Sequence, residues 1–184
     1  MQPLLVSAPA WSKNDSSASG VTEEIINGKQ FCVTHTIVRA RPEAVWLVLT
    51  DYMNAPRVFH QLKKCQVVED HGSSKLLKHQ IAPSGLPGTY EYIVEVKESA
   101  PKTLEWHRVS GSFKEVDGFW KLEPLNGGRE TEVTYSAYVN GGLFMPPPLI
   151  RRQFRIDMPG IMASLKTQSE GATQIAGRPV PKTQ

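Results

Sequence analysis

Nucleophilic catalysis by a Ser-His-Asp or Cys-His set needs a nucleophile on a strained turn with a base in reach. This chain has neither a G-x-S-x-G elbow nor a local Cys-His signature. His35, His60, His71, His79 and His107 form no helical pair and flank no cysteine pair, so neither a metal site nor a cofactor is expected from spacing. Ser84-Gly85-Leu86-Pro87-Gly88 has too few glycines, in the wrong context, to cradle a phosphate. The chain does hold aromatic residues at alternating positions. Tyr90, Tyr92, Trp106, Trp120 and Tyr135 fall on the inward faces of the strands read below, opposite Phe154, Met158 and Met162 of a later helix. Core packing accounts for any one of them. Several tyrosines on one concave face are another matter, because buried hydroxyls need partners, and together they point to a space holding water or a polar ligand atom. Alternation puts Arg108 beside Leu104 and Trp106 on that face, where a cation is costly. It reads either as a ligand anchor, as a snorkelling side chain, or as a partner of Glu95 or Asp157. These nine residues are the candidate ligand-binding set, and none is assigned a catalytic role. An enzyme in the same space would have to draw its acid or base from Arg108, the tyrosines, His35 or His79.

The element that must face those aromatics runs from Pro146 to Lys166. Leu149, Ile150, Phe154, Met158, Ile161, Met162 and Leu165 recur at steps of one, three and four, along one side of a helix. Pro146-Pro147-Pro148 gives the start signal, and Pro159 predicts a bend. Arg151, Arg152, Arg155 and Lys166 occupy the other side. A solvated face is their cheaper explanation, and no nucleic-acid partner is expected.

Upstream the chain reads mostly as strands. Gln30 to Val38 opens, and Pro42-Glu43 starts a short helix carrying Val45, Trp46, Val48, Leu49 and Tyr52. A second short helix is predicted over Arg57 to Gln61. Further strands are predicted at Leu62 to Glu69, Ser74 to Ile81, Thr89 to Glu98, Thr103 to Ser110, Gly118 to Glu123 and Thr131 to Val139. The class is α+β, an antiparallel meander wrapped around one long C-terminal helix. Leu86 and Phe144, each in a Gly/Pro-rich loop, are the expected cavity entrance, placed to meet an incoming ligand or to touch a membrane surface transiently.

At 184 residues, 40% hydrophobic and 21% charged, with a net charge of +3, the composition suits one globular domain over residues 25–170. Residues 1–24 are read as a flexible arm without the basic and apolar regions of a secretory signal, and 171–184 as a flexible tail. Cys32 and Cys65, too few for a disulfide framework, read as unpaired thiols in a reducing, cytoplasmic setting, with a peripheral membrane location as the variant.

Ile37-Val38-Arg39-Ala40-Arg41-Pro42-Glu43-Ala44-Val45-Trp46 followed by Leu49-Thr50-Asp51-Tyr52 resembles the opening of the START-like (SRPBCC) superfamily, in its polyketide cyclase/dehydrase and coenzyme Q-binding branch. Gly111-Ser112-Phe113, Gly118-Phe119-Trp120-Lys121-Leu122-Glu123-Pro124, the Thr131 to Tyr135 strand and Met158-Pro159 are similar to the same family, over about Thr22 to Lys166. The resemblance implies a helix-grip fold with a cavity between sheet and helix. It further implies a binding or carrier protein for an apolar lipid, isoprenoid, quinone or polycyclic aromatic molecule. A cyclase/dehydratase and a ribosome- or protein-interaction module are the alternatives within it, with a non-enzymatic role preferred.

Overall fold

The structure, a computed structural model, describes residues 20–176. Thr22–Ile26 (β1) and Lys29–Val38 (β2) form a hairpin turned by Asn27 and Gly28, whose φ values of 50° and 76° suit a tight two-residue turn. The sequence pattern puts Thr22 to Glu24 in the arm. They belong instead to this edge strand, where Glu23 accepts from Arg155 Nη2 at 2.5 Å and lies 3.6 Å from Arg151 Nε. Part of the basic helix face is thus spent on holding β1. The remainder of the expected arm lies outside the described residues.

Pro42–Thr50 (α1) begins on a proline and buries Val45, Trp46 and Leu49. Ala55–Val58 (α2) starts earlier than the expected Arg57 to Gln61, because Pro56 fits its first turn, where the missing N–H costs nothing. Six strands follow: Leu62–Asp70 (β3), Ser74–Ile81 (β4), Tyr90–Ser99 (β5), Thr103–Gly111 (β6), Glu115–Leu125 (β7) and Glu130–Asn140 (β8). All pairs are antiparallel, in the order β1-β2-β8-β7-β6-β5-β4-β3. β7 extends beyond the expected Gly118 to Glu123, since Val116 continues its inward alternation and is buried.

Pro147–Ala176 (α3) lies on the concave face, packed chiefly on β2 and α1, and runs on through Pro159. It also passes the expected end at Lys166 and enters the expected tail, so Gly171 to Ala176 are helical. No proline interrupts 166–176, and the fully buried Ser169 shows that this part still packs on the body. The remaining tail residues, from 177 onward, lie outside the described residues. Val38, Val94, Val133, Met158, Met162 and Leu165 are all within 1% of complete burial. Full burial of each large side chain is worth about 1.5–3 kcal/mol, which makes the helix the main clamp on the sheet. Cys32 and Cys65 are both buried and free.

Candidate functional site

Between the sheet and α3 the packing stops short of contact and leaves a cavity of about 240 Å3. One water needs about 10–15 Å3 on this kind of measure, so the space is sized for a compact organic molecule, near the lower end of ligand pockets. Strand register builds its walls. Trp120 and Tyr135 face each other across β7 and β8 and stack at 4.1 Å between centroids, 13° from parallel. Trp106 lies 6.1 Å from Tyr135, and Phe59 extends the aromatic wall 6.3 Å from Trp120. Gly118 makes room for this arrangement: a Cβ there would stand 2.2 Å from the Trp106 ring. On the far side Cys65, His79 and Tyr92 lie abreast on β3, β4 and β5, all lining the cavity, with the His79 ring edge-on to Tyr92 at 5.4 Å.

Of the candidate set, the structure brings Tyr92, Trp106, Trp120, Tyr135 and Phe154 together on the cavity wall, with Leu86 at its edge. Leu86 is half-buried because it packs against the core. Tyr90 instead stacks on Phe113 at 5.4 Å and donates to the Pro87 carbonyl at 3.3 Å, outside the lining. Met158 and Met162 are buried in dry packing, the former against Cys32 and Ala137. Phe144 falls in the 3-10 turn Gly142–Phe144, and its side chain lies outside the described residues. Arg108 does not line the cavity. Beside it the register slips between Ile93 and Val94, and its Nη2 donates at 3.0 Å to the Gly111 carbonyl, an accepting oxygen near the strand end. It forms no ion pair with Glu95 or Asp157. Glu95 lies 3.0 Å from His107 and accepts from Ser74. His35 is exposed, with Nδ1 3.0 Å from the Thr134 hydroxyl, and takes no part in the cavity.

Phe59 and several other lining residues stand outside the expected set, and three of them could contribute chemistry. His79 is one, beyond its mention as a candidate base, and burial lowers its pKa to about 4, so the ring is neutral at neutral pH. Asp157 is another, 7% exposed, at a position that continues the apolar stripe three residues from Phe154 and four from Ile161. An acid inside an apolar stripe was the signal for it. Its Oδ2 accepts from Gln153 Nε2 at 2.8 Å, and its Oδ1 from Gln61 Nε2 and the Ser84 N–H, both at 3.4 Å. Gln153 also donates to the Ser84 carbonyl at 2.6 Å, tying the 82–88 loop to α3. Cys65 is the third, its thiol pushed by burial up to about 12.

Tyr92 and Tyr135 are pushed upward, chiefly by burial, with the Asp157 charge adding to the effect on Tyr135. Both side chains retain some accessible area, and that area faces the cavity. Neither hydroxyl, nor the His79 ring, has a hydrogen-bond partner among the described residues. Tyr52, by contrast, donates to Glu98 at 2.6 Å. Among the described residues, no lysine or arginine lines the space.

A curved antiparallel sheet closed by one long helix over an apolar cavity with a few polar groups defines a helix-grip, hydrophobic-ligand-binding domain. The profile of the family described as polyketide cyclase / dehydrase and lipid transport matches residues 38–166, and the chain belongs to that family. No curated protein matches. Among solved structures the chain is similar to the Zhui aromatase/cyclase of a Streptomyces species, at 12% identity and a TM-score of 0.64, covering 83% of this chain and 98% of that one. A STAR-related lipid transfer protein of Xanthomonas axonopodis gives 15% identity and a TM-score of 0.66 over 84% and 96%. A Thermus thermophilus protein gives 14% and 0.69 over 78% and 99%. At these identities the likeness is one of fold.

Proposed function

We propose that the protein is a binding or carrier protein that holds a compact, apolar, ring-containing molecule between its sheet and α3. The observation that carries this reading is the cavity wall of Phe59, Trp106, Trp120 and Tyr135 with unpartnered Tyr92 and Tyr135 hydroxyls beside it. Flat aromatic faces favour a ring, and free donors favour a ligand bearing an oxygen or nitrogen substituent. The volume of about 240 Å3 favours a polycyclic aromatic or a quinone head over a long isoprenoid tail. The polar groups also fit holding better than turnover, since no nucleophile among the described residues is hydrogen-bonded to His79.

One observation favours a cyclase or dehydratase instead: a neutral imidazole and two protonated phenols border the same space. Native mass spectrometry of the protein as purified, followed by titration with methylnaphthalene read by tryptophan fluorescence, tests the binding reading. A co-purified apolar mass or saturable quenching is expected, and the lack of both rejects it. Product formation from a polyketide-type β-keto chain, abolished in His79→Gln, would move the reading to the enzyme.

A further inference from the structure

Asp157 has no salt-bridge partner among the described residues. It is 7% exposed, and it borders a cavity that no described lysine or arginine lines. A buried carboxylate is costly unless paired or fully hydrogen-bonded. Its two oxygens offer about four acceptor sites, and the three donors present are two side-chain amides and one backbone N–H, two of them as long as 3.4 Å. The carboxylate therefore keeps accepting capacity. The cavity that it borders is also lined by Trp106 and Tyr135, residue types whose rings attract cations.

Resting on the reading that this cavity takes a ring-containing ligand, we propose that the ligand's polar end is a hydrogen-bond donor, an ammonium above all, received by Asp157, and that carboxylate-headed ligands are rejected. Asp157 is then the residue that selects the ligand's head group, and the aromatic wall receives its body. An anionic head would meet the Asp157 carboxylate in a space that no described lysine or arginine lines, whereas an ammonium supplies a counter-charge. The loop-tying bonds alone would explain Asp157 as a structural residue, but they would give no preference among head groups.

A matched series on one ring separates the two. The full chain is titrated at neutral pH with methylnaphthalene, naphthylmethylamine, naphthylmethanol and naphthoic acid. The amine should bind tightest, the alcohol next and the acid weakest, with amine and acid about 10- to 100-fold apart, the size of a charge-assisted hydrogen bond. Asp157→Asn should bring amine and acid together. Gln153→Ala, which loosens the loop but leaves the carboxylate, should keep the amine ahead. If methylnaphthalene binds and the acid matches or beats the amine, the head-group assignment fails while the cavity reading stands. If no member binds, both fail. The series on the unaltered protein decides the matter even if Asp157→Asn does not fold.

Discussion

Two stretches of the same helix face make opposite use of burial. Met158, Met162 and Leu165 are within 1% of complete burial in dry packing. Phe154, Asp157 and Ile161 belong to the same helical stripe yet border the cavity. Both sets sit at steps of three and four, so periodicity reports that a side chain leaves bulk water without reporting whether atoms or space lie opposite. The difference comes from the sheet. On the dry side the helix packs closely on β2 and α1 and touches β8 at Ala137, while on the other β6 and β7 stand off from it. Close packing is concentrated on one side and open space on the other.

The sharpest way to break that division is to charge each side in turn. Leu165→Asp buries an unpaired carboxylate in dry packing and should remove most of a typical margin of about 5–15 kcal/mol. Ile161→Asp borders a space that water can enter, and its melting temperature should fall distinctly less. Equal losses in thermal melting would erase the distinction between a dry grip and a cavity wall.

The fold was the legible part, because strand alternation and the helix stripe follow from burial and repeat along the chain. The boundaries that shifted did so for reasons that local patterning does not report: β1 is held by ion pairs to a helix more than a hundred residues away, and the last turns of α3 are polar enough to look like a tail. The site was half legible. Alternation placed Tyr92, Trp106, Trp120 and Tyr135 on the correct face, and depth along the strand then decided who reached the cavity. Tyr90, at the start of β5, packs on Phe113 instead. His79 was harder to find, since its neighbours on β4 mix lysine and leucine, and only pairing with Cys65 and Tyr92 shows which way it faces.

His79 sharpens the comparison through pH. Burial holds its pKa at about 4, against an ordinary 6.5 in the unfolded chain. Between those values the unfolded chain binds more protons, so this stability is present in full above 6.5 and is lost as pH falls through 4. The loss should be about 3 kcal/mol in order of magnitude. Denaturant titrations of parent and His79→Gln across that range should diverge, with the variant the flatter; parallel curves would place the imidazole in water.

Tyr135→Phe acts on the cavity side alone. Its hydroxyl has no partner among the described residues, so the empty protein should melt nearly as before. Binding of naphthylmethanol should weaken by about 1 kcal/mol, one neutral hydrogen bond. A clear loss of stability with unchanged binding would reveal an internal partner and remove Tyr135 from the site.

The smallest effect is expected at Arg108, which alternation alone would have made the most important polar group. Its Nη2 bonds the Gly111 carbonyl at 3.0 Å, while its Nε is buried with no partner among the described residues. Arg108→Met forfeits one backbone-directed bond, worth about 1 kcal/mol net, and also removes a buried unsatisfied donor that costs about 1–3 kcal/mol. The two oppose each other, and the methionine keeps most of the apolar stem in place. Stability should therefore stay within about 1 kcal/mol of the parent. Methylnaphthalene should bind as before, because the guanidinium is not on the cavity wall. Two results would contradict this. A loss of about 3–5 kcal/mol is the signature of a broken buried ion pair and would give Arg108 a carboxylate partner. A tenfold weaker ring affinity at unchanged stability would return it to the ligand.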